Sequence, residues 1–208
     1  MTRIILDPGS THDGSLGKAE ELVHIAKKSG ADAIKFQLLT KKQLQGGNIM
    51  LPWEWLPALI DVGEELGVEV FASVFNTVGI DYLASCGCES IKFAHSQREL
   101  YYKNDLREFK NRYVSSNDMK LIKDCINLWC IPEYPVPYIP NFGGLFDKYN
   151  GFSSHCMGIS QDFKAVLMGA EILEFHIKGS WESKCPDAFF AKSPDQTESL
   201  IQQIRGIE

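Results

Sequence analysis

Two lysine residues interrupt short apolar segments at matching positions. Lys35 lies in the run Ala-Ile-Lys-Phe-Gln and Lys92 in the run Ser-Ile-Lys-Phe-Ala. A lysine inside such a run is seldom fully buried unless it is paired. A side chain that reaches outward from a strand edge explains either lysine alone, but the pair favours a site that binds phosphate or carboxylate. A Schiff-base lysine of an aldolase is the competing chemistry.

Two histidines form a second candidate pair. His155 and His176 are 21 residues apart, which is one strand–helix unit and predicts them on neighbouring strands. Adjacent strands lie about 5 Å apart, so both imidazoles are expected to reach one metal ion. A hydrogen-bonded core histidine is the alternative for each residue. Imidazole, carboxylate and water ligands would suit manganese or another borderline divalent ion.

The elements that must position these side chains alternate between strands and helices. Short apolar runs predict eight strands, at residues 3–7, 31–37, 68–73, 90–94, 112–115, 126–131, 150–153 and 171–177. Helices are predicted at residues 16–29, 53–66, 77–85, 100–110, 161–168 and 195–204. This alternation indicates parallel strand–helix units, and eight of them predict an α/β fold, a closed (β/α)8 TIM barrel. An open doubly wound sheet is the alternative.

Two connections are too short for full helices. They lie between residues 115 and 126 and between residues 140 and 151, so helices five and six are predicted to be shortened. The preceding segment, residues 132–140, contains four prolines, which exclude a helix and stiffen a loop. One domain over residues 1–208 is expected at this length.

Substrate-binding groups of a TIM barrel lie at the carboxyl ends of its strands. The candidates there are polar or ionisable: Asp7, Lys35, Gln37, Ser73, Lys92, His95, Tyr134, Ser153, His155 and His176. His12 is a further candidate for substrate binding, because it lies in the glycine-flanked loop after the first strand. That loop lacks the Gly-Lys-Ser/Thr signature of a P-loop.

The composition excludes several classes of protein. An apolar content of 44% argues against disorder, and a net charge of -6 without long basic runs argues against nucleic acid or an anionic membrane as partner. No apolar stretch approaches the roughly 20 residues of a membrane span. The start of the chain does not resemble a secretory signal, so a cytoplasmic location is expected. The six cysteines form no CxxC pair and are expected to be reduced thiols.

An ordered set of motifs extends over nearly the whole chain. It comprises Asp7-Pro-Gly-Ser-Thr-His-Asp-Gly14, Gly30-Ala-Asp-Ala-Ile-Lys-Phe-Gln37, Phe71-Ala-Ser-Val-Phe-Asn76, Ile91-Lys-Phe-Ala94, Glu133-Tyr-Pro-Val-Pro137, Gly151-Phe-Ser-Ser-His155, Gly169-Ala-Glu-Ile-Leu-Glu-Phe-His176 and Pro186-Asp187. The set resembles the sialic acid synthase family, which makes N-acetylneuraminic, legionaminic and pseudaminic acids.

The resemblance implies an aldolase-type barrel with a metal-assisted reaction. Phosphoenolpyruvate would condense with an open-chain, N-acetylated amino sugar to give a 2-keto acid of the nonulosonic type. Carried over residue by residue, it implies phosphoenolpyruvate contacts for Lys35, Lys92, Ser73 and Ser153, manganese ligation by His155 and His176, sugar-facing carboxylates at Asp7 and Asp187, and Tyr134 in the pocket.

The sequence departs from the family pattern at several positions. Asp7 stands where the family has glutamate, and His95 and Gln97 replace a serine and a glutamate. The sequence ends at Glu208, where typical members continue into an antifreeze-like domain that reaches the partner subunit's site. Sugar recognition would then differ, be absent, or be supplied by another chain, through a homodimer or a partner chain that carries this domain. Three functions remain open: the synthase, a different TIM-barrel aldolase or sugar isomerase, and a non-catalytic sugar- or phosphosugar-binding descendant.

Overall fold

The strands form a closed parallel barrel. The computed structural model describes residues 1–44 and 46–208. Each strand pairs with its neighbours in sequence, and β8 returns to β1. The strands are β1 (Arg3–Asp7), β2 (Ala33–Leu38), β3 (Glu69–Val74), β4 (Ser90–Phe93), β5 (Asn111–Ser116), β6 (Ile126–Cys130), β7 (Gly151–Ser154) and β8 (Ile172–His176). The TIM barrel predicted from the alternating pattern is confirmed, and the open sheet is wrong.

Six α-helices cover the outside of the barrel in the described part of the chain. They are α1 (Leu16–Ser29), α2 (Leu56–Leu66), α3 (Thr77–Ser85), α4 (Glu99–Lys103), α5 (Ser160–Leu167) and α6 (Pro194–Arg205). Helix α4 is much shorter than predicted, because Asn104 adopts an extended backbone and ends the helix. None of the described helices is long and apolar enough to cross a membrane.

The two connections predicted to hold shortened helices contain no helix within the described residues. After β5, Met119 and Asp124 have φ angles of 60° and 61°, a left-handed backbone that interrupts any helical turn. After β6, the prolines of residues 132–140 exclude a helix in the first part of the connection, and Gly144, with a φ of 68°, interrupts the part between residues 140 and 151. The shortening is therefore more complete than the sequence pattern indicated.

The inward side chains change character along the barrel axis. Near the amino-terminal end they form an apolar cluster of Ile5, Ala33, Phe71, Tyr113, Leu128 and Ile172. Two residues further along the same strands, the inward positions become polar: Asp7, Lys35, Ser73, Ser115, Cys130 and Glu174. Successive inward residues of a strand are two apart, so the apolar cluster closes one end and the polar residues line the other.

Strand register and helix ends fix the polar end of the barrel. Ser153 is the register partner of Glu174, and Asp7 is that of His176. Helix α1 follows the loop after β1 and begins at Ser15, whose side chain accepts a hydrogen bond from the backbone N–H of Lys18. This cap satisfies one of the free donors at the start of the helix and so ends the loop at a defined residue.

Candidate active site

A cavity of about 680 Å³ opens at the carboxyl ends of the strands. It is lined by eleven of the twelve residues predicted from the sequence: Asp7, Lys35, Gln37, Ser73, Lys92, His95, Tyr134, Ser153, His155, His176 and Asp187. The rim adds Lys42, Gln43, Asn48 and Gln97 from the loops after β2 and β4. The structure therefore brings the two lysines and the two histidines together at one mouth of the barrel.

The floor of the cavity is a buried row of four alternating charges, here named the charge tetrad: Asp7, Lys35, Glu174 and Lys92. Lys35 Nζ lies 2.6 Å from Asp7 Oδ2 and 3.7 Å from Glu174 Oε2. Lys92 Nζ lies 2.6 Å from Glu174 Oε1. The lysines are only 4% and 2% exposed, so the interpretation as side chains reaching outward from a strand edge is wrong.

The tetrad stabilises the charged forms of its carboxylates. Burial alone would raise the pKa of Glu174, but the two lysines bring it to about 2. Burial also acts against ionised Asp7, yet Lys35 and His176 hold its pKa well below the usual range. Both carboxylates are therefore ionised at neutral pH, and the four charges of the tetrad cancel.

The two lysines differ in their surroundings. Burial lowers the pKa of Lys35, but Asp7 and Glu174 outweigh burial and raise it above the ordinary lysine value. Lys92 has only Glu174 beside it; burial and the repulsion from Lys35 leave its pKa below that value. Lys92 is thus the lysine that gives up its proton more readily.

The two histidines face each other across β7 and β8, as their spacing predicted. Their ring centroids lie 5.6 Å apart. His155 Nδ1 lies 2.7 Å from the Ile131 carbonyl oxygen, which can only accept, so Nδ1 donates and Nε2 carries the lone pair. Burial lowers the pKa of His155 to about 3, so this imidazole is neutral at physiological pH.

The imidazoles of His155 and His176 could together supply two ligands to a divalent ion. His155 shows the arrangement common in metal sites, with one ring nitrogen bonded to a backbone carbonyl and the other free. His176 Nδ1 is buried and has no hydrogen-bond partner among the described residues. No group of three or more His, Cys, Asp and Glu residues suited to an ion occurs in the described chain. Further ligands would have to come from substrate and water.

Aromatic rings enclose the histidine pair. The Tyr134 ring stacks on His155 with centroids 3.9 Å apart, and the Phe190 ring lies 4.9 Å from that of His176 in an edge-on arrangement. Tyr134 and Phe190 also contact each other, with centroids 5.8 Å apart. Their packing restricts the rotation of both imidazoles.

Asp187 reaches the cavity because the loop after β1 holds its carboxylate. The backbone N–H of Ser10 donates to Asp187 Oδ2 over 2.9 Å. Gly9 has a φ of 53°, and a Cβ on this residue would overlap the same carboxylate. A glycine is therefore required at residue 9 both for its left-handed backbone and for the close approach of Asp187.

His12 is the predicted residue that does not line the cavity. It is 1% exposed, and its Nδ1 accepts a hydrogen bond from the backbone N–H of Gly14. Burial lowers its pKa to about 4. His12 thus stabilises the loop after β1 and lies outside the cavity lining, so its contact with substrate stays a prediction.

All six cysteines are free thiols. Cys130 lines the cavity, and burial raises its pKa to about 12. It therefore stays protonated at neutral pH and is not an activated nucleophile.

Comparison with known proteins places this cavity in a family context. Residues 114–208 match the model of the NeuB family. The chain is 27% identical to the N,N'-diacetyllegionaminic acid synthase of Legionella pneumophila, over 99% of this chain and 72% of the relative. It is 25% identical to a pseudaminic acid synthase of Campylobacter jejuni, over 99% of this chain and 73% of the relative. The chain is related to the sialic acid synthases.

The fold of this chain agrees with that of a solved structure. The N-acetylneuraminic acid synthetase of Leptospira borgpetersenii, in complex with citrate, superimposes with a TM-score of 0.84. The match covers 99% of this chain and 83% of that chain, at 21% sequence identity. The resemblance inferred from the ordered motifs is confirmed.

Among the site residues that sequence reasoning missed, Glu174 and Phe190 contact the predicted residues directly. Glu174 interrupts an apolar run two residues before His176, so the period of a strand would have placed both side chains on the inner face. Lys35 and Lys92 were found in this way, because each interrupts an apolar run. Phe190 offers no such signal, because its position depends on the course of the loop after β8.

Proposed function

We propose that this chain is a phosphoenolpyruvate-dependent synthase that condenses phosphoenolpyruvate with an open-chain, N-acetylated amino sugar. The product would be a 2-keto acid of the nonulosonic type. The convergence of two buried lysines and two facing histidines in one cavity supports the proposal most directly. The activities of the relatives, which are legionaminic and pseudaminic acid synthases, agree with it.

Phosphoenolpyruvate would bind above the charge tetrad. Its carboxylate and phosphate compete with Asp7 and Glu174 for the ammonium groups of Lys35 and Lys92. Ser153 Oγ, which donates to Glu174 Oε1 over 2.7 Å, and Ser73 lie beside them. A dianionic or trianionic ligand gains most from this site, because the ammonium groups are already desolvated and fixed in place.

The cavity retains polar atoms that a ligand would satisfy. Ser115 Oγ, Glu174 Oε2 and His176 Nδ1 are buried without a hydrogen-bond partner among the described residues. Buried polar groups are rarely left unpaired in proteins. Ser115 Oγ and His176 Nδ1 can each donate to a ligand oxygen, whereas the ionised Glu174 Oε2 can only accept a hydrogen bond from a ligand hydroxyl or from water.

The reaction forms one carbon–carbon bond and releases inorganic phosphate. Carbon 3 of phosphoenolpyruvate attacks the aldehyde carbon of the sugar, and the aldehyde oxygen takes up a proton. Water adds at carbon 2, the bond from carbon 2 to the phosphate oxygen breaks, and a 2-keto acid remains. Asp7 and Asp187 line the cavity as acceptors for the sugar hydroxyls and the water. On this mechanism the lysines act as fixed charges.

His155 and His176 would hold a divalent ion, manganese being the proposed one. When bound, such an ion supplies positive charge that polarises the aldehyde oxygen. The depressed pKa of His155 keeps that imidazole free of a proton, which would otherwise compete for the ring nitrogen. The stacked ring of Tyr134 keeps the imidazole of His155 in one orientation.

The first test is phosphate release from phosphoenolpyruvate with manganese and a panel of N-acetylated hexosamines. His155→Ala and His176→Ala should each abolish the metal-dependent reaction. His24→Ala is the matched control, because His24 lies exposed on α1 and should leave the rate unchanged. Turnover that persists in either cavity variant without metal would contradict the proposal.

A Schiff-base aldolase is the second candidate function. The lowered pKa of Lys92 favours it, because a nucleophilic amine must lose its proton. Borohydride reduction in the presence of a keto acid separates the two functions. The synthase forms no reducible adduct, whereas the aldolase is trapped as a secondary amine at Lys92, which peptide mass spectrometry locates.

A further inference from the structure

A second buried ion pair lies behind the histidine pair and outside the cavity. Lys192 and Asp162 are 1% and 0% exposed, and Lys192 Nζ lies 2.9 Å from Asp162 Oδ2. Asp162 is on α5, and Lys192 is in the segment that leads into α6. Neither residue lines the cavity, so the pair has no direct contact with a ligand bound there.

Lys192 contacts the backbone of both histidine-bearing segments. Its Nζ donates to the carbonyl oxygen of Cys156, the residue after His155, over 2.8 Å. Its backbone N–H donates to the carbonyl oxygen of His176, also over 2.8 Å. One residue thus connects the ends of β7 and β8 where the two imidazoles emerge.

Each of these contacts has a definite direction because Lys192 is itself fixed. Asp162 pairs with the ammonium group, and the group also lies 5.6 Å above the ring of Phe175 on β8. Lys192 further forms a bridge with Ile177 in parallel register. The backbone of Lys192 is thus held by strand pairing, and its ammonium group lies between the Asp162 carboxylate and the Phe175 ring, an arrangement that favours one position for the Cys156 carbonyl.

A buried ion pair is a poor source of net stability. Desolvation of the two charges offsets most of their attraction, and apolar residues of similar volume are often as stable. The geometry around Lys192 offers a different advantage. A charged donor fixes one carbonyl oxygen in distance and direction, which apolar packing at the same place does not do.

We propose that the Lys192–Asp162 pair is a positioning device that sets the spacing and orientation of His155 and His176. The inference rests on the proposed function, in which those imidazoles share a divalent ion. Residues behind metal ligands commonly act in this way, and their loss costs about 10- to 100-fold in metal affinity. The pair would therefore influence ion binding through the backbone, without contact with the ion.

The test replaces both charges together, so that neither is left buried and unpaired. In the double variant Lys192→Met, Asp162→Asn the volume is kept and the barrel is expected to fold, as circular dichroism would verify. The Mn²⁺ dissociation constant, measured by titration calorimetry, should rise about 10-fold or more. In the metal-free protein, the imidazole nitrogen resonances of labelled histidines should shift for His155 and His176.

The matched control removes an ion pair from the other end of the barrel. Arg3 pairs with Glu69 near the amino-terminal ends of β1 and β3. The double variant Arg3→Met, Glu69→Gln should leave both the Mn²⁺ affinity and the imidazole resonances unchanged. The control pair is partly exposed, with side chains 35% and 29% accessible, so it controls for the loss of an ion pair as such; a positioning role shifts the imidazole resonances only in the Lys192→Met, Asp162→Asn variant.

The outcomes separate this inference from the proposed function. Unchanged imidazole resonances in a folded Lys192→Met, Asp162→Asn variant overturn the inference, whatever the metal affinity. A wild-type protein that binds no Mn²⁺ contradicts the metal part of the proposed function, and the metal-free resonances then decide the inference alone. Should the double variant fail to fold, Lys192→Arg, which keeps the charge opposite Asp162 but moves the donor that contacts Cys156, must shift the same resonances; no shift again overturns the inference.

Discussion

At the scale of single residues, the site is defined by buried charges that compensate one another. Two carboxylates and two ammonium groups alternate within the barrel, and each lysine has a carboxylate oxygen 2.6 Å away. Removal of one partner from such a group is costly, because the remaining charge stays buried. The same interactions hold the lysines ready for an anionic ligand.

Glu174→Gln tests this compensation. It leaves Lys92 without its nearest carboxylate and should lower the free energy of unfolding by about 3–5 kcal/mol. Phosphoenolpyruvate or another oxyanion would replace the lost charge, so the variant should gain more thermal stability from the ligand than the wild type does. Thermal melts with and without ligand measure both effects.

Glu171→Gln is the matched control for that variant. Glu171 is exposed and directly precedes β8. Its replacement should change neither the melting temperature nor the ligand effect by a measurable amount. An equal response of the two variants would show that the charge tetrad does not hold Lys92 through Glu174.

His12→Asn tests the pH dependence that burial of this residue predicts. The folded pKa is about 4, against about 6.5 for an unfolded histidine. Below pH 6.5 the unfolded chain takes up a proton that the folded protein refuses, so stability falls by about 3 kcal/mol towards pH 4. Asparagine retains an acceptor for the Gly14 N–H but does not titrate.

Denaturant unfolding at pH 7.5 and pH 4.5 measures this difference. The variant should lose less stability than the wild type as the pH falls, because the contribution of His12 is present above its unfolded pKa and lost on acidification. Parallel losses in the two proteins would mean that His12 takes up its proton equally well in the folded state.

At the scale of elements, the site depends on loops that pack against each other. The loop after β1 accommodates Asp187 over Gly9, and the loop after β8 carries Asp187 and Phe190 into the cavity. Sequence periodicity predicted the strands within a few residues, because the apolar residues that a strand buries form a run in its own sequence. Periodicity could not predict the conformation of these loops, because contacts between residues distant in sequence determine it.

Gly9→Ala should disturb both the loop and the site. The left-handed backbone at residue 9 and the overlap of a Cβ with Asp187 should cost about 1–3 kcal/mol. A displacement of Asp187 by about 1 Å should reduce phosphate release on the order of 100-fold. Chemical denaturation and the phosphate assay give the two values.

Gly17→Ala provides the matched control. Gly17 lies in α1, and a Cβ there would meet nothing within 4 Å. Alanine should raise the stability by about 0.5–1 kcal/mol and leave the rate unchanged, because a helical glycine costs chain entropy without a compensating contact. If Gly9→Ala behaves like this control, Asp187 is not positioned by close approach to the loop.

At the scale of the whole molecule, the barrel has its apolar cluster at one end of its axis and its candidate active site at the other. The apolar cluster around Phe71 and Tyr113 fills one end, and the charged residues fill the other. The eightfold alternation and the polar strand ends were sufficient to predict this division. They could not predict that Lys35 and Lys92 share Glu174, because a lysine in a strand does not reveal its partner on another strand.

The connections after β5 and β6 are the main difference at this scale. The pattern predicted shortened helices, but left-handed residues and prolines leave none in the described chain. Side chains of the loop after β6 cover that part of the barrel: the ring of Phe142 packs against Trp129 of β6, and Val114 of β5 stays fully buried. The loop after β6 also places Tyr134 against His155, so the missing helix is linked to the arrangement of the site.

The most direct test of the central claim is the identity of the three-carbon donor. The purified protein is incubated with Mn²⁺, an accepted N-acetylated hexosamine and either phosphoenolpyruvate or pyruvate, and products are identified by mass spectrometry. The account predicts a 2-keto acid three carbons longer than the sugar, formed only from phosphoenolpyruvate and with one equivalent of inorganic phosphate. The same product formed from pyruvate, or phosphate released without carbon–carbon bond formation, would contradict it.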